Sequence, residues 1–174
     1  MIKTTDIVIR EAEGSDASRL LDYLMKIGKE SQNLVIDEKG LPSTLEQEIA
    51  FLEARKGASN SIMLLACCND QIVGTTNCEA SLRSRICHGG EIGISVAKDF
   101  WGMGIGTKLL DALITWAKRQ ETGLSKLSLE VRQDNERALN LYRKFGFVEE
   151  GKISRLLRID GVYYDGVRMV LLWS

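Results

Sequence analysis

The sequence predicts a single α/β domain in which a mixed, mostly antiparallel central sheet is flanked by helices. Three observations support this. The chain of 174 residues is long enough for one compact core, and its patterning shows no second core. Strand and helix patterns follow one another in the order β-α-α-β-β-β-α-β-α-β-β. Short turns join several consecutive strands, as in antiparallel hairpins. We expect one domain over residues 1–174, with its core at about 6–172.

The N-terminal elements show clear periodicity. The segment "DIVIR", residues 6–10, alternates as a strand does. Apolar residues then recur at helical spacing over residues 17–27, and Ser15 is the expected N-cap of this helix. Residues 28–42 form a polar connection punctuated by glycine.

The second helix and the following strands have equally local signals. Ser43 and Glu46 form a capping box, and the helix that it opens ends near Arg55. A hairpin follows, with "SIMLLACC" and "QIVGTTNCEASL" on either side of the turn "ND". The segment "ICHGGEIGISV" is the fourth strand.

The C-terminal half alternates strand and helix before a final pair of strands. A helix is predicted over residues 104–119, and "LSLEVR", residues 127–132, is a strand. Asn135 caps the last helix, which Gly146 stops. The strands "FVEEGKISRLLRI" and "YYDGVRMVLLW" are separated by "DG", which is a turn signal.

Composition and charge limit the function. Hydrophobic residues make up 44% of the chain and charged residues 27%, and the formal net charge of -1 argues against nucleic acid as the main partner. No apolar run approaches the ~18 residues of a membrane span, and "MIKTTDIVIR" lacks the apolar core of a signal peptide. We therefore expect a cytoplasmic protein with no membrane partner.

The cysteines and the histidine indicate no metal site. The cysteines lack the paired spacing of a zinc site, and we expect buried, reduced thiols. They are Cys67, Cys68, Cys78 and Cys87. The chain has one histidine, His88, which excludes mechanisms that need two or three. His88 precedes a Gly-Gly pair instead of facing a nucleophile elbow, so a Ser-His-Asp hydrolase is disfavoured.

Three glycines, Gly102, Gly104 and Gly106, lie between the fourth strand and the next helix. Such a turn can bind an anion because the first helical N–H groups lack internal partners, the helix dipole adds about half a positive charge, and glycine admits a close ligand. A diphosphate is the natural ligand. The spacing is neither G-x-G-x-x-G nor that of a P-loop, since Thr107 stands five residues after Gly102. By itself the pattern is equally compatible with a tight turn.

Two motifs carry a family resemblance. "WGMGIGTKLL" resembles the acetyl-CoA-binding segment [QR]-x-x-G-x-[GA] of the GNAT N-acetyltransferase superfamily, with Gly104 and Gly106 as its glycines. Trp101 replaces the Gln or Arg, and we expect this to alter packing around the pyrophosphate without abolishing binding. "LSLEVRQDNERALNLYRKFGF" resembles the family segment N-x-x-A-x-x-L-Y-x-x-x-G-F. Its matching residues are Asn135, Ala138, Leu141, Tyr142, Gly146 and Phe147.

The resemblance implies acetyl-CoA as co-substrate, no metal, and a fourth strand that splays from the fifth at a bulge. In this superfamily the pantetheine arm pairs with the backbone of the fourth strand, and the diphosphate meets the glycine loop. Asn135 and Tyr142 then approach the arm from its far side. The implied cofactor-binding residues are Ile94, Ser95, Val96, Trp101, Gly102, Met103, Gly104, Ile105, Gly106, Thr107, Asn135 and Tyr142.

The resemblance also suggests catalytic residues. Glu91 matches the proposed base of phosphinothricin-type enzymes, and Glu130 matches that of the ribosomal-protein N-terminal acetyltransferases. If either is the base, burial should raise its pKa toward neutrality; the alternative is a solvent-facing or salt-bridged strand residue. Tyr142 is the implied general acid, or else a packed aromatic residue. A backbone N–H near Val96 is the expected oxyanion donor.

These features predict an acetyl-CoA-dependent N-acetyltransferase that acts by direct attack in a ternary complex. The alternatives are a non-catalytic acyl-CoA sensor or partner-binding module, and a domain that binds another nucleotide. The acceptor would be a small-molecule or peptide amine, and acidic loop residues favour a cationic one. These residues are Glu30, Asp37, Glu38, Asp160 and Asp165. Members of the superfamily commonly dimerise through the C-terminal strands, so the resemblance also allows a homodimer.

Overall fold

A computed structural model describes residues 7–174 and contains one seven-stranded sheet in the order β1-β2-β3-β4-β5-β7-β6. The strands are β1 (Ile7–Glu11), β2 (Ser61–Cys68), β3 (Gln71–Ala80), β4 (Gly89–Val96), β5 (Lys126–Arg132), β6 (Val148–Ile159) and β7 (Val162–Leu172). The helices are α1 (Ala17–Glu30), α2 (Leu45–Arg55), α3 (Ile105–Ala117) and α4 (Glu136–Lys144). The predicted fold class and element order are confirmed. Residue 6, the predicted start of the first strand, lies outside the described residues.

The splay between β4 and β5 is present. These two strands pair in parallel only from Gly89 with Lys126 to Glu91 with Ser128, whereas the other neighbouring strands are antiparallel. Beyond Glu91 the strands diverge. The implied bulge is wrong, because β4 keeps an unbroken register with β3 over residues 90–96. Divergence of the two strands, and not a bulge, therefore opens the sheet.

Helices α1 and α3 cover opposite faces of the sheet. The Ser95 hydroxyl lies 2.9 Å from the Tyr23 hydroxyl on α1 and 3.0 Å from the Thr75 hydroxyl. The next position along β3, Gly74, faces α3, since a Cβ there would lie 3.0 Å from Leu109. Side chains alternate between the two faces of a sheet, so odd-numbered residues of β3 and β4 face α1 and even-numbered ones face α3.

The start of α1 differs from the prediction. Ser15 is not its N-cap but lies within a 3-10 turn, Gly14–Asp16, and the helix begins after Asp16. Asp16 is fully buried and accepts hydrogen bonds from the guanidinium groups of Arg10 and Arg19. The ion pairs of Asp16 with residues on β1 and α1 thus place the helix start, and a sequence window around Ser15 does not show them.

The capping box of α2 is shifted by one residue. Thr44 is the N-cap and accepts from the Gln47 N–H at 3.2 Å, while the Gln47 side chain accepts from the Thr44 N–H at 2.9 Å. The predicted pair, Ser43 and Glu46, is wrong. Ser43 and Thr44 both fit the first position of the capping box, and Glu46 and Gln47 both fit the last, so the sequence pattern allows either pair. The predicted cap of α4 is confirmed, since Asn135 Oδ1 accepts from the Ala138 N–H at 3.3 Å.

Residues 81–88 form an exposed connection, so β3 ends two residues earlier and β4 begins three residues later than predicted. Cys87 lies in this connection and is exposed, which corrects its predicted burial; the other three cysteines are buried, and all four are free thiols. Among residues 7–174 no cluster of candidate metal ligands is found. No helix within this range is both long and apolar enough to cross a membrane.

Candidate active site

A cleft of about 830 Å³ opens where β4 and β5 diverge. Its walls are these two strands, the starts of α3 and α4, and the end of α1 with the loop that follows. The predicted site residues that line it are Glu91, Ile94, Ser95, Val96, Trp101, Gly102, Gly104, Ile105, Gly106, Thr107, Glu130, Asn135 and Tyr142. Met103 does not line it, because its side chain packs against the hydrophobic core.

The glycine loop presents unpaired backbone donors to the cleft. The N–H groups of residues 102–107 donate to no residue within the described part of the chain. Gly102 and Gly104 have φ of 77° and 74°, and a Cβ at either would meet nothing within 4 Å, so backbone conformation requires glycine there. Gly106 has a different reason, since a Cβ would lie 3.2 Å from Leu141 of α4. The loop therefore has the form of an anion-binding helix start.

The edge of β4 also faces the cleft. The Ala97 N–H donates to the Val73 carbonyl at 2.9 Å. Backbone groups alternate in direction along an antiparallel ladder, so those of Ile94 and Val96 point toward the splay and those of Ser95 toward β3. The Ser95 backbone groups are thus directed at β3, and those of Ile94 and Val96 are directed at the cleft.

Trp101 ties the glycine loop to β4. Its indole Nε1 donates to the Val96 carbonyl at 2.7 Å. The Arg137 guanidinium of α4 lies over its ring, 3.3 Å from the centroid, and burial lowers the pKa of Arg137. Such stacking is a cation–π contact. The residue that departs from the motif thus holds a cation at the rim of the cleft.

Tyr142 is buried, with its ring centroid 5.9 Å from that of Phe147. Its hydroxyl has no hydrogen-bond partner among residues 7–174, and it is not a fully enclosed atom. Burial raises the pKa of Tyr142 above its ordinary value. The hydroxyl therefore stays protonated at neutral pH and lies in the wall of the cleft.

The two glutamates line the cleft and both are exposed, so neither has the burial that was expected of a catalytic base. Glu130 Oε1 accepts from Arg168 Nη2 at 2.6 Å, so Glu130 is a salt-bridged strand residue. Glu91 forms no ion pair within 4 Å with a described residue. Its β3 neighbour, Glu79, is paired with Arg55 at 2.7 Å.

Four further polar residues of the sheet line the cleft: Asn77, Glu79, Ser128 and Arg168. Three of them have no motif around them, and Ser128 precedes Asn135, the first matching residue of its segment. Alternation along a strand shows which of its residues share a face, but which strand lies beside it in the sheet depends on the sheet order. That order places β7 between β5 and β6, and sequence adjacency does not indicate this.

Comparisons with known proteins agree with this geometry. The sequence model of the Acetyltransferase (GNAT) family matches residues 32–147. A crystal structure of a GNAT-family acetyltransferase from Streptococcus pneumoniae is 36% identical, with a TM-score of 0.92 over 96% of this chain and 99% of that one. The protein yncA of Salmonella typhimurium, solved with acetyl-CoA, shares the fold at 19% identity, with a TM-score of 0.83 over 97% of this chain and 95% of its own.

Among curated proteins, the spermidine N(1)-acetyltransferase of Escherichia coli K12 is 31% identical over 81 residues, which are 47% of this chain and 43% of that protein. The chain spans about half the length of the curated relatives that it matches.

Proposed function

The chain belongs to the Acetyltransferase (GNAT) family, whose sequence model matches residues 32–147, and we propose that it is an acetyl-CoA-dependent N-acetyltransferase acting on a primary amine by direct attack in a ternary complex. One observation carries the proposal. A single cleft has unpaired helix-start N–H groups at one end, a free carboxylate, Glu91, at the other, and the unpartnered Tyr142 hydroxyl in its wall.

The residues that line the cleft fit acetyl-CoA. The N–H groups of residues 102–107 would hold its diphosphate, with the Arg137 cation beside them. The backbone groups of Ile94 and the N–H of Val96 would pair with the pantetheine arm, while the Val96 carbonyl is already bonded to Trp101. Acetyl-CoA supplies the acetyl group as an activated thioester.

Proton transfer falls to two side chains. An alkylamine with a pKa of ~10 is almost wholly protonated near neutral pH, so a base must take its proton before attack. Glu91 is the better base, because the Glu130 carboxylate is already bonded to Arg168, whereas Glu91 is in no ion pair with a described residue. Being exposed, Glu91 can act through a water molecule. The Tyr142 hydroxyl holds the proton that the departing thiolate needs, and the Val96 N–H points toward the splay as an oxyanion donor.

The free carboxylate of Glu91 favours an amine that arrives as a cation. Four carboxylates line the cleft, from Glu30, Glu79, Glu91 and Glu130. All but Glu91 are paired with a lysine or arginine, so Glu91 is the group that would attract an opposite charge. One relative is a spermidine acetyltransferase, so a polyamine belongs in any acceptor panel.

The first experiment measures the melting temperature with acetyl-CoA, and with ATP and NAD as controls. Acetyl-CoA at a hundred times its Kd adds ~2.7 kcal/mol, which raises the Tm of a protein of this size by about 5–11 °C. Thiol release is then followed with spermidine, L-lysine, kanamycin and a peptide with a free N-terminal alanine. A shift with acetyl-CoA alone, followed by transfer, supports the proposal. A shift without transfer indicates the acyl-CoA sensor, and no shift contradicts both.

A further inference from the structure

Asn77 on β3 is a polar side chain of the cleft with no structural partner. It lines the cleft, it is half-buried, and its amide makes no hydrogen bond within the described part of the chain. Directly across the ladder lies Gly93 of β4. A Cβ added at Gly93 would lie 2.9 Å from Asn77 Oδ1, so the amide occupies the space that the glycine leaves.

A structural asparagine in this fold behaves differently. Asn60, which directly precedes β2, donates from its side chain to the Ala80 carbonyl at 3.0 Å. Asparagine is depleted in strand interiors, and a half-buried amide without a partner costs free energy. Asn77 therefore has no evident role in holding the sheet together.

The neighbours of Asn77 place its amide where an acceptor would pass. On the same face, one step toward the glycine loop, the Ser95 hydroxyl lies 2.9 Å from that of Tyr23 and 3.0 Å from that of Thr75. One step in the other direction lie Glu79 and Glu91. The amide thus stands between the free carboxylate and hydroxyl groups that already have partners.

We infer that Asn77 orients the acceptor amine by accepting a hydrogen bond from its N–H, and that Gly93 lacks a side chain so that the Asn77 amide can lie over it. This inference rests on the proposed function. An amide oxygen accepts from the amine both before and after proton loss, and such a bond fixes the direction of the nitrogen lone pair. Because the amide is neutral, it does not hold the amine in its protonated form as a second carboxylate would.

The test compares Asn77→Ala, Gly93→Ala and the double variant, using the amines of the panel above that the wild-type protein acetylates. Gly93 is not in the left-handed region, so alanine suits its backbone. Its Cβ meets only the flexible end of Asn77. We expect each single variant to lower kcat/KM for the acceptor roughly tenfold, as the loss of one orienting hydrogen bond does, with the KM for acetyl-CoA unchanged. The double variant should match Asn77→Ala alone.

Asn140→Ala is the matched control, since Asn140 is exposed on α4 and does not line the cleft. Unchanged acceptor kinetics in Asn77→Ala would overturn the inference. An equal rise in the KM for acetyl-CoA would also overturn it, because that indicates a general distortion. If Gly93→Ala lowers activity as strongly without Asn77 as with it, Gly93 does not act through Asn77. If the wild-type protein binds acetyl-CoA but acetylates no amine, the proposed function fails, and this inference fails with it.

Discussion

The Tyr142 hydroxyl faces the cleft without a hydrogen-bond partner in residues 7–174. The chemical role of the hydroxyl can therefore be tested apart from the structural role of the ring. The ring is held by burial and by its contact with Phe147. Phenylalanine keeps both of these contacts. A loss of activity in Tyr142→Phe would therefore report on the hydroxyl alone.

We expect Tyr142→Phe to lower kcat by about 10²- to 10⁴-fold, the usual contribution of a general acid. The Kd for acetyl-CoA and the Tm should stay the same, because the hydroxyl forms no hydrogen bond within the described chain. Steady-state kinetics and thermal melting of the purified variant check both. Full activity in this variant would exclude Tyr142 as the acid.

Substitution of the two glutamates should affect kcat differently, because only Glu130 is in an ion pair. Glu91→Gln should lower kcat by about 10²- to 10⁴-fold, because it removes the free carboxylate. Glu130→Gln breaks only an exposed pair with Arg168, worth about 0–1 kcal/mol, and should change kcat less than tenfold. Rates at saturating acceptor decide between them, and the opposite ranking would assign the base to Glu130.

The free energy of unfolding at alkaline pH should test the raised pKa of the two buried tyrosines, Tyr23 and Tyr142. Burial raises the pKa of Tyr23 and of Tyr142 above the ordinary value of about 10. Below that pH both are protonated in the folded and the unfolded chain. Above it, only the unfolded chain ionises readily. The contribution of these tyrosines to the free energy of unfolding is therefore fully present below about pH 10 and is lost as the pH rises further. Urea unfolding across this range should show a shallower loss in Tyr142→Phe than in the wild-type protein.

At the scale of elements, the glycine loop joins β4 to α3 by a backbone that few residues can adopt. Gly104, the N-cap of α3, has φ of 74°, and a Cβ there would meet no atom within 4 Å. Strain alone therefore sets the stability cost of a substitution. Gly57 offers a matched comparison, since it has φ of 71° with nothing within 4 Å and lies outside the cleft.

Gly104→Ala and Gly57→Ala should each cost about 1–2 kcal/mol of unfolding free energy, the penalty of a left-handed alanine. Only Gly104→Ala should weaken acetyl-CoA binding, because it displaces the N–H groups of residues 102–107. Chemical denaturation and isothermal titration measure the two quantities. Equal acetyl-CoA affinity in both variants would show that the glycine loop does not bind the cofactor.

At the scale of the whole molecule, α1 and the loop after it meet at Gly28. A Cβ at Gly28 would lie 1.8 Å from the Asp37 carbonyl oxygen, a backbone atom that cannot move alone. The loop contributes Asn33, Leu34 and Val35 to the cleft wall. The close approach at Gly28 thus sets how near this part of the wall lies to β4.

Glycine to alanine inside a helix normally stabilises by about 1 kcal/mol. We expect Gly28→Ala to destabilise instead, because the whole loop must shift, and to raise the KM for the acceptor while the affinity for acetyl-CoA stays the same. Gly151→Ala on β6, where a Cβ meets nothing within 4 Å, is the control. A more stable Gly28→Ala variant with normal kinetics would contradict this.

The sequence by itself determined the order of the elements, the glycine loop and the helix cap at Asn135. Each of these depends on residues close together in the chain: hydrophobic period, turn chemistry, and glycine spacing before a helix. Local signals also have a limit, seen at α2, where Ser43 and Thr44 fit the same capping pattern and only the folded helix shows that Thr44 is the cap.

Only the tertiary structure decided which side chains meet in the cleft. The pairing of Asn77 with Gly93, the ion pair of Glu130 with Arg168, and the stacking of Arg137 on Trp101 join residues 16, 38 and 36 positions apart in the sequence. Strand register and sheet order set these contacts, and they depend on how the whole sheet assembles around its core. The same physics exposes Glu91 at the end of the β4–β5 pairing, which alternation within one strand does not indicate.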